Sequence, residues 1–252
     1  MTLDFCQLSK GNRSMRLYLL YLGTMQPGDI PVPGYLIRTA DNINILVDTG
    51  WPRSFVDDPR PPPGLTIDIR PEDIITVRLA DIGLKPSDIH YLVCTHLDDD
   101  HCGNHDLFPG AELIIQKQHY MVAKGGHPRF AANRSVWDRP DLRYRQIEGD
   151  VELVPGVTIF ETSGHVPGHQ SLLVRLPETG NVILAADAVM HHTMADATTR
   201  EIYITDMDDE AGIRRSTQKV ADIARNEQAA FVVYGHDTGQ WATLRLSPQY
   251  YD

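Results

Sequence analysis

His96-Leu97-Asp98-Asp99-Asp100-His101, one residue beyond the apolar run Ile89-His90-Tyr91-Leu92-Val93-Cys94, is the stretch on which the reading of this chain turns. The run at 89–94 has the length and aliphatic character of a short buried strand. The six residues that follow offer two imidazoles and three carboxylates. A loop leaving the C-terminal end of a buried strand can aim alternate side chains at one centre. That suits His96, Asp98 and Asp100, with His101 arriving on the next turn. Imidazole combined with carboxylate matches zinc, iron or manganese better than calcium, which prefers oxygen alone. Asp-rich loops are also commonly just solvated surface, so this loop by itself leaves both readings open.

Three later segments bear on the choice. His165 stands in Thr162-Ser163-Gly164-His165-Val166-Pro167-Gly168-His169, just past a strand, Asp187 follows the strand at 182–186, and His236 follows the strand at 231–234. Each is a candidate ligand at the mouth of a strand, where loops gather along one sheet edge. Further strands are expected at 16–22, 34–38, 43–47, 112–116, 171–175 and 181–185, with a pair within 151–160 around Pro155-Gly156. Helices are expected over 71–83, 117–124 and 208–226. Two polar stretches read as loops: 51–71, with six prolines, and 125–145. Their apolar members Trp51, Phe55, Leu65, Phe130 and Trp137 are candidates to line a substrate rim or a dimer interface. Short strands mixed with helices in both halves indicate an α/β sandwich.

Composition bounds the rest. The chain has 252 residues, 42% hydrophobic and 23% charged, which suits one globular domain spanning 1–252. A net charge of −11 argues against a nucleic-acid surface or an anionic membrane as partner, since both need a basic patch. The early apolar run at 17–22 is far too short for a membrane span, and no export signal opens the chain. Three cysteines, Cys6, Cys94 and Cys102, fit a reducing compartment better than a disulfide framework. The expectation is a cytoplasmic monomer or homodimer acting on a small molecule.

In this order, His96-x-Asp98-x-Asp100-His101, His165, Asp187 and His236 resemble the metallo-β-lactamase superfamily, whose signature is His-x-His-x-Asp-His followed by single His, Asp and His ligands. Asp48-Thr49-Gly50 resembles the family's early Asp-Thr-Gly turn. The segments Gly164–Leu172, Tyr234-Gly235-His236-Asp237 and Ser247-Pro248-Gln249-Tyr250 look most like its N-acyl homoserine lactonase group. The resemblance implies an αββα sandwich of two mixed sheets flanked by helices. It implies two divalent ions, zinc first: one held by His96, Asp98 and His165, the other by Asp100, His101 and His236, with Asp187 bridging. The implied reaction is hydrolysis of a lactone ester by a hydroxide shared between the metals, as in quorum quenching. Asp187 is the candidate to pass a proton to the leaving alkoxide, with Asp100 contributing. Asp48 and His169 are read as supports that orient ligands.

Two departures qualify the resemblance. Asp98 replaces the usual histidine, which makes its subsite more anionic and iron or manganese more compatible. Met190 stands where lactonases of this group carry a tyrosine whose hydroxyl assists the substrate carbonyl, and His191 or His192 is the candidate to take that part. Other lactones (γ-butyrolactone or aromatic), thioesters and phosphoesters are therefore alternative substrates, and an iron-binding non-hydrolytic relative is the remaining class. His90, His105, His119 and His127 read as structural or surface residues, and Cys94 and Cys102 as small buried ones.

Overall fold

The computed structural model describes residues 15–203, 207 and 210–252. Cys6 and the first two positions of the helix expected over 208–226 lie outside them. Strands β1 (Arg16–Gln26), β2 (Ile30–Arg38), β3 (Asn44–Val47), β4 (Thr66–Asp68), β5 (Tyr91–Val93), β6 (Glu112–Gln116) and β7 (Arg143–Ile147) form one sheet in the order β4-β1-β2-β3-β5-β6-β7. Strands β8 (Val151–Val154), β9 (Val157–Glu161), β10 (Gln170–Leu176), β11 (Gly180–Ala186) and β12 (Phe231–Tyr234) form the other, in the order β12-β11-β10-β9-β8. The helices are α1 (Ile75–Ala80), α2 (Asp99–Cys102), α3 (Lys117–Lys124), α4 (Arg134–Trp137), α5 (Glu210–Asn226) and α6 (Thr238–Trp241).

The period-two alternation of the strands divides their side chains between two apolar layers. Leu17, Leu19, Ile45 and Val47 face inward and meet Val157, Ile159, Leu172 and Val174 of the second sheet. From the same strands Leu20, Leu22 and Leu46 face outward onto Ile75 and Leu79 of α1. Phe160, Leu173 and Ile183 of the second sheet turn outward onto Val220 of α5. Both sheets are thus buried on both faces, which is why their strands read as nearly continuous apolar runs. The result is the expected αββα sandwich.

Parallel pairing aligns the strand ends that matter. β3, β5, β6 and β7 run parallel in the first sheet, as β11 and β12 do in the second. Loops leaving β3, β5, β11 and β12 carry Asp48, residues 96–101, Asp187 and His236, and the β9–β10 connection carries His165 and His169.

Several expectations are corrected in detail. The helix expected over 71–83 is split into a turn at Pro71–Asp73 and α1, with Ile74 extended between them (φ −66, ψ 134). Asp73 ends the first turn by accepting from Arg70 N (3.0 Å) and from Arg78 Nη2 (2.6 Å). The 51–71 loop contains a turn at Arg53–Val56 and β4, which pairs with the end of β1. The 125–145 stretch contains α4 and the start of β7, whose polar composition hid its edge-strand role. Trp51, Phe55, Phe130 and Trp137 do not form an open rim: all four are buried. Trp51 and Phe55 stack on each other in the core beneath the first sheet, while Phe130 and Trp137 fill the core under residues 94–102.

Candidate metal centre

The site begins with three histidine rings whose Nδ1 atoms are fixed by partners. Asp48 Oδ2 lies 2.8 Å from His101 Nδ1, and the same carboxylate accepts from Thr95 N (2.8 Å) and Thr95 Oγ1 (2.7 Å). Because the Thr95 hydroxyl donates to Asp48, its oxygen is left to accept from His96 Nδ1 at 3.0 Å. His236 Nδ1 donates to the Pro31 carbonyl at 2.8 Å. In the neutral ring these contacts hold the proton on Nδ1 and leave the Nε2 lone pair toward the centre, the form a metal-binding imidazole must take. Asp48 holds a left-handed backbone (φ 57) at the turn after β3, a conformation aspartate tolerates better than most side chains.

The Nε2 atoms converge on three carboxylates. Asp98 Oδ2 is 3.2 Å from His96 Nε2 and 3.1 Å from His165 Nε2. Asp100 Oδ2 is 3.5 Å from His101 Nε2 and 3.7 Å from His236 Nε2. Asp187 spans both sets: Oδ2 lies 3.9 Å from His96 and 3.6 Å from His165, and Oδ1 lies 3.4 Å from His101 and 3.2 Å from His236. Donor atoms of His96, Asp98 and His165 lie within 4.8 Å of one another, as do those of Asp100, His101 and His236, and of His96, His101 and Asp187.

The donor set fits two divalent cations. His96 Nε2, His101 Nε2 and Asp187 Oδ1 are buried and make no hydrogen bond, a costly state unless another group claims them. Burial, with His101 beside it, pushes His96 down to about 3, so its ring is neutral. Burial opposes ionisation of Asp187, but His236 and His101 outweigh it and hold the carboxyl well below its usual range. Asp98 is likewise held well below that range, against burial, by His96, Arg129 and His165. Burial also opposes the charge on His101, yet Asp100, Asp187 and Asp48 raise its pKa well above the ordinary value, which marks how anionic the centre is.

His169 bonds to the backbone of Asp187. Its Nε2 accepts from the backbone N–H of Asp187 (3.2 Å), and its Nδ1 meets Thr162 Oγ1 (2.8 Å). Gly235 lets His236 and Asp187 approach: a Cβ there would lie 2.8 Å from Ala186 O and 3.0 Å from Asp187 Oδ1. His191 is not brought to the ligand atoms. Its Nε2 faces Asp237 Oδ1 at 3.3 Å and its Nδ1 meets Thr193 Oγ1 at 2.9 Å, so both nitrogens are engaged outside the two triads. His192 likewise pairs with Asp237, and Met190 fixes the backbone of His236 through its carbonyl (2.8 Å).

Sequence reasoning missed Arg129 and undervalued His119. Arg129 makes a two-pronged bond to Asp98, Nε to Oδ1 at 2.7 Å and Nη2 to Oδ2 at 2.6 Å. Only the general rule that a buried carboxylate needs a cation could have signalled it, and that rule names no position. His119 is fully buried, and its Nε2 accepts from Leu97 N (2.8 Å) while Nδ1 donates to Pro167 O (2.9 Å), clamping the 96–101 loop. His105 is buried as well, His127 is partly buried and His90 is exposed. Cys94 and Cys102 are free, buried thiols under the loop.

Residues 27–236 match the metallo-beta-lactamase superfamily. An N-acyl homoserine lactonase from Bacillus sp is 33% identical over 236 residues, covering 90% of each chain. The N-acyl homoserine lactonase AttM of Azorhizobium caulinodans is 32% identical, covering 94% of this chain and 99% of its own. Among solved structures, an N-acyl homoserine lactone hydrolase with the product N-hexanoyl-L-homoserine at its catalytic metal center superposes with a TM-score of 0.82. That pair shares 28% identity over 94% of this chain and 99% of the other. The chain belongs to the metallo-β-lactamase superfamily, within its N-acyl homoserine lactonase group.

Proposed function

We propose that this chain is a dinuclear metal-dependent hydrolase that opens the ester bond of N-acyl homoserine lactones, with zinc as its metal. The observation that carries the reading is the pair of triads, His96–Asp98–His165 and Asp100–His101–His236, around Asp187, with His96 Nε2, His101 Nε2 and Asp187 Oδ1 buried and making no hydrogen bond. Divalent ions held by these residues would lower the pKa of a water to about 7 and would polarise the lactone carbonyl. Asp48, Thr95 and the Pro31 carbonyl keep His101, His96 and His236 in the tautomer that binding needs. Ring opening expels an alkoxide, which needs a proton to leave. Asp187 is the residue we assign to carry it, a reading supported by its buried Oδ1 without a hydrogen-bond partner, with the charge of Asp100 nearby. The free thiols of Cys94 and Cys102 support a cytoplasmic setting.

A second reading keeps the chemistry and changes the substrate. Met190 offers no hydrogen-bond donor where the group's tyrosine would stand, and His191 is occupied by Asp237. The alternative is hydrolysis of another lactone, such as γ-butyrolactone or an aromatic lactone. Both readings are tested by proton release from metal-reconstituted enzyme on a panel of acyl homoserine lactones of several chain lengths, γ-butyrolactone and an aromatic lactone. Turnover abolished by Asp187→Ala supports the hydrolase, and the panel identifies the ring. A metal-loaded enzyme inert on every lactone refutes both.

A further inference from the structure

Arg129 does more than neutralise Asp98. Its Nη2 also lies 2.7 Å from His165 Nε2. Asp98 Oδ2 stands farther from the same nitrogen, at 3.1 Å, and a guanidinium has no acceptor, so at the shorter contact the ring nitrogen presents its lone pair to Arg129. That lone pair is the one a metal ion in the His96–Asp98–His165 subsite would take. The arginine is delivered by a fixed turn, Pro128–Phe130. Phe130 is buried with its ring edge-on to His119 (centroids 4.9 Å), and Arg129 N donates to His127 Nδ1 at 3.3 Å. The other triad has no such competitor: among the described residues, no lysine or arginine hydrogen-bonds to Asp100, His101 or His236.

We infer that Arg129 is a resident cation of the His96–Asp98–His165 subsite, and that the two subsites therefore fill in order. Metal enters the Asp100–His101–His236 subsite first, and the other only as Arg129 gives up His165 while keeping its bond to Asp98. The inference depends on the metal centre proposed above. It also explains how a carboxylate at position 98 is tolerated: Asp98 with Arg129 carries no net charge, as a neutral histidine carries none. Arg129 acts here as a positioning residue that sets metal affinity.

The test is a zinc titration of the metal-free protein against a chromophoric chelator, with bound ions counted by elemental analysis and folding of each metal-free variant checked by circular dichroism. The wild type is expected to bind two ions in resolved tight and weak steps. Arg129→Gln removes the charge and keeps a donor for Asp98. It should tighten the weak step by roughly tenfold or more, the scale of a lost charge-assisted hydrogen bond, and leave the tight step unchanged. Arg129→Lys, which keeps the charge, should leave the weak step nearer to wild type. Two ions in the wild type with an unchanged or weakened second step in Arg129→Gln overturns the inference alone. A wild type that binds no zinc overturns the metal centre itself.

Discussion

Asp48→Asn changes one atom of the centre's support and should act chiefly on metal affinity. In the wild type, Asp48 Oδ1 accepts from Thr95 N (2.8 Å), while Oδ2 accepts from Thr95 Oγ1 (2.7 Å) and faces His101 Nδ1 (2.8 Å). An asparagine would keep its oxygen on Thr95 N and turn its amide toward His101. The amide is a donor, so His101 must expose a lone pair at Nδ1, and the ring proton moves to Nε2, the atom aimed at the metal. Removing such a supporting partner typically weakens metal binding by about 10- to 100-fold, or ~1.4–2.7 kcal/mol. The loss should fall on the step assigned to Asp100, His101 and His236. Asparagine retains the shape and most of the bonding at this buried position, so the metal-free protein should lose only about 1–2 kcal/mol of stability. Chelator-competition titration and urea melts of the metal-free variant separate the two effects. Excess zinc should restore activity lost at limiting metal. Zinc affinity within about threefold of wild type, well short of the expected weakening, would refute the tautomer argument.

Three further outcomes follow from the same geometry. Burial lowers His105 to about 3 and His119 to about 4, both below an unfolded value near 6.5, so acid protonates the unfolded chain first. Their stabilisation is full above pH 6.5 and is lost at about 1.4 kcal/mol per pH unit per histidine as pH falls toward 4. Urea melts at pH 7.5, 6.5 and 5.5 should show the slope, and His105→Gln should flatten it. Gly235→Ala drives a methyl against Ala186 O and Asp187 Oδ1, and should cost ~1–3 kcal/mol in thermal melts and weaken zinc binding. His169→Leu leaves the Asp187 N–H without its partner and should cost ~1–3 kcal/mol, and a variant as stable as wild type would remove His169 from the support of Asp187.

The parts of the fold legible in the sequence were those written at short range. Strands such as β5 and β12 are local apolar runs, and the pair β8–β9 is announced by Pro155-Gly156 between them. The parts misread depend on partners distant in the chain. β7 is polar because it lies at a sheet edge, a fact set by its pairing with β6 and invisible in 143–147 themselves. Trp51, Phe55, Phe130 and Trp137 looked available for substrate because their neighbours are polar, yet each folds back onto a core built from other segments. A polar loop with one large apolar residue is as often anchored as open.

The same distinction runs through the centre. Candidate ligand types could be read from position because they cluster in segments that follow strands, and strands are local features. Their protonation could not, because it is set across the chain: His101 by Asp48, 53 residues away, and His236 by Pro31, 205 residues away. Asp98 is the sharpest case. Its anionic character is evident from the sequence and argues for a harder metal, but its effective charge depends on Arg129, 31 residues on, in a stretch whose composition suggests only a loop. With that cation in place, Asp98 no longer adds net charge to its subsite, and the argument from position 98 toward iron loses most of its force. What remains of the departure is an arginine that would compete with a metal for His165, so position 98 bears more on the order of loading than on the choice of ion.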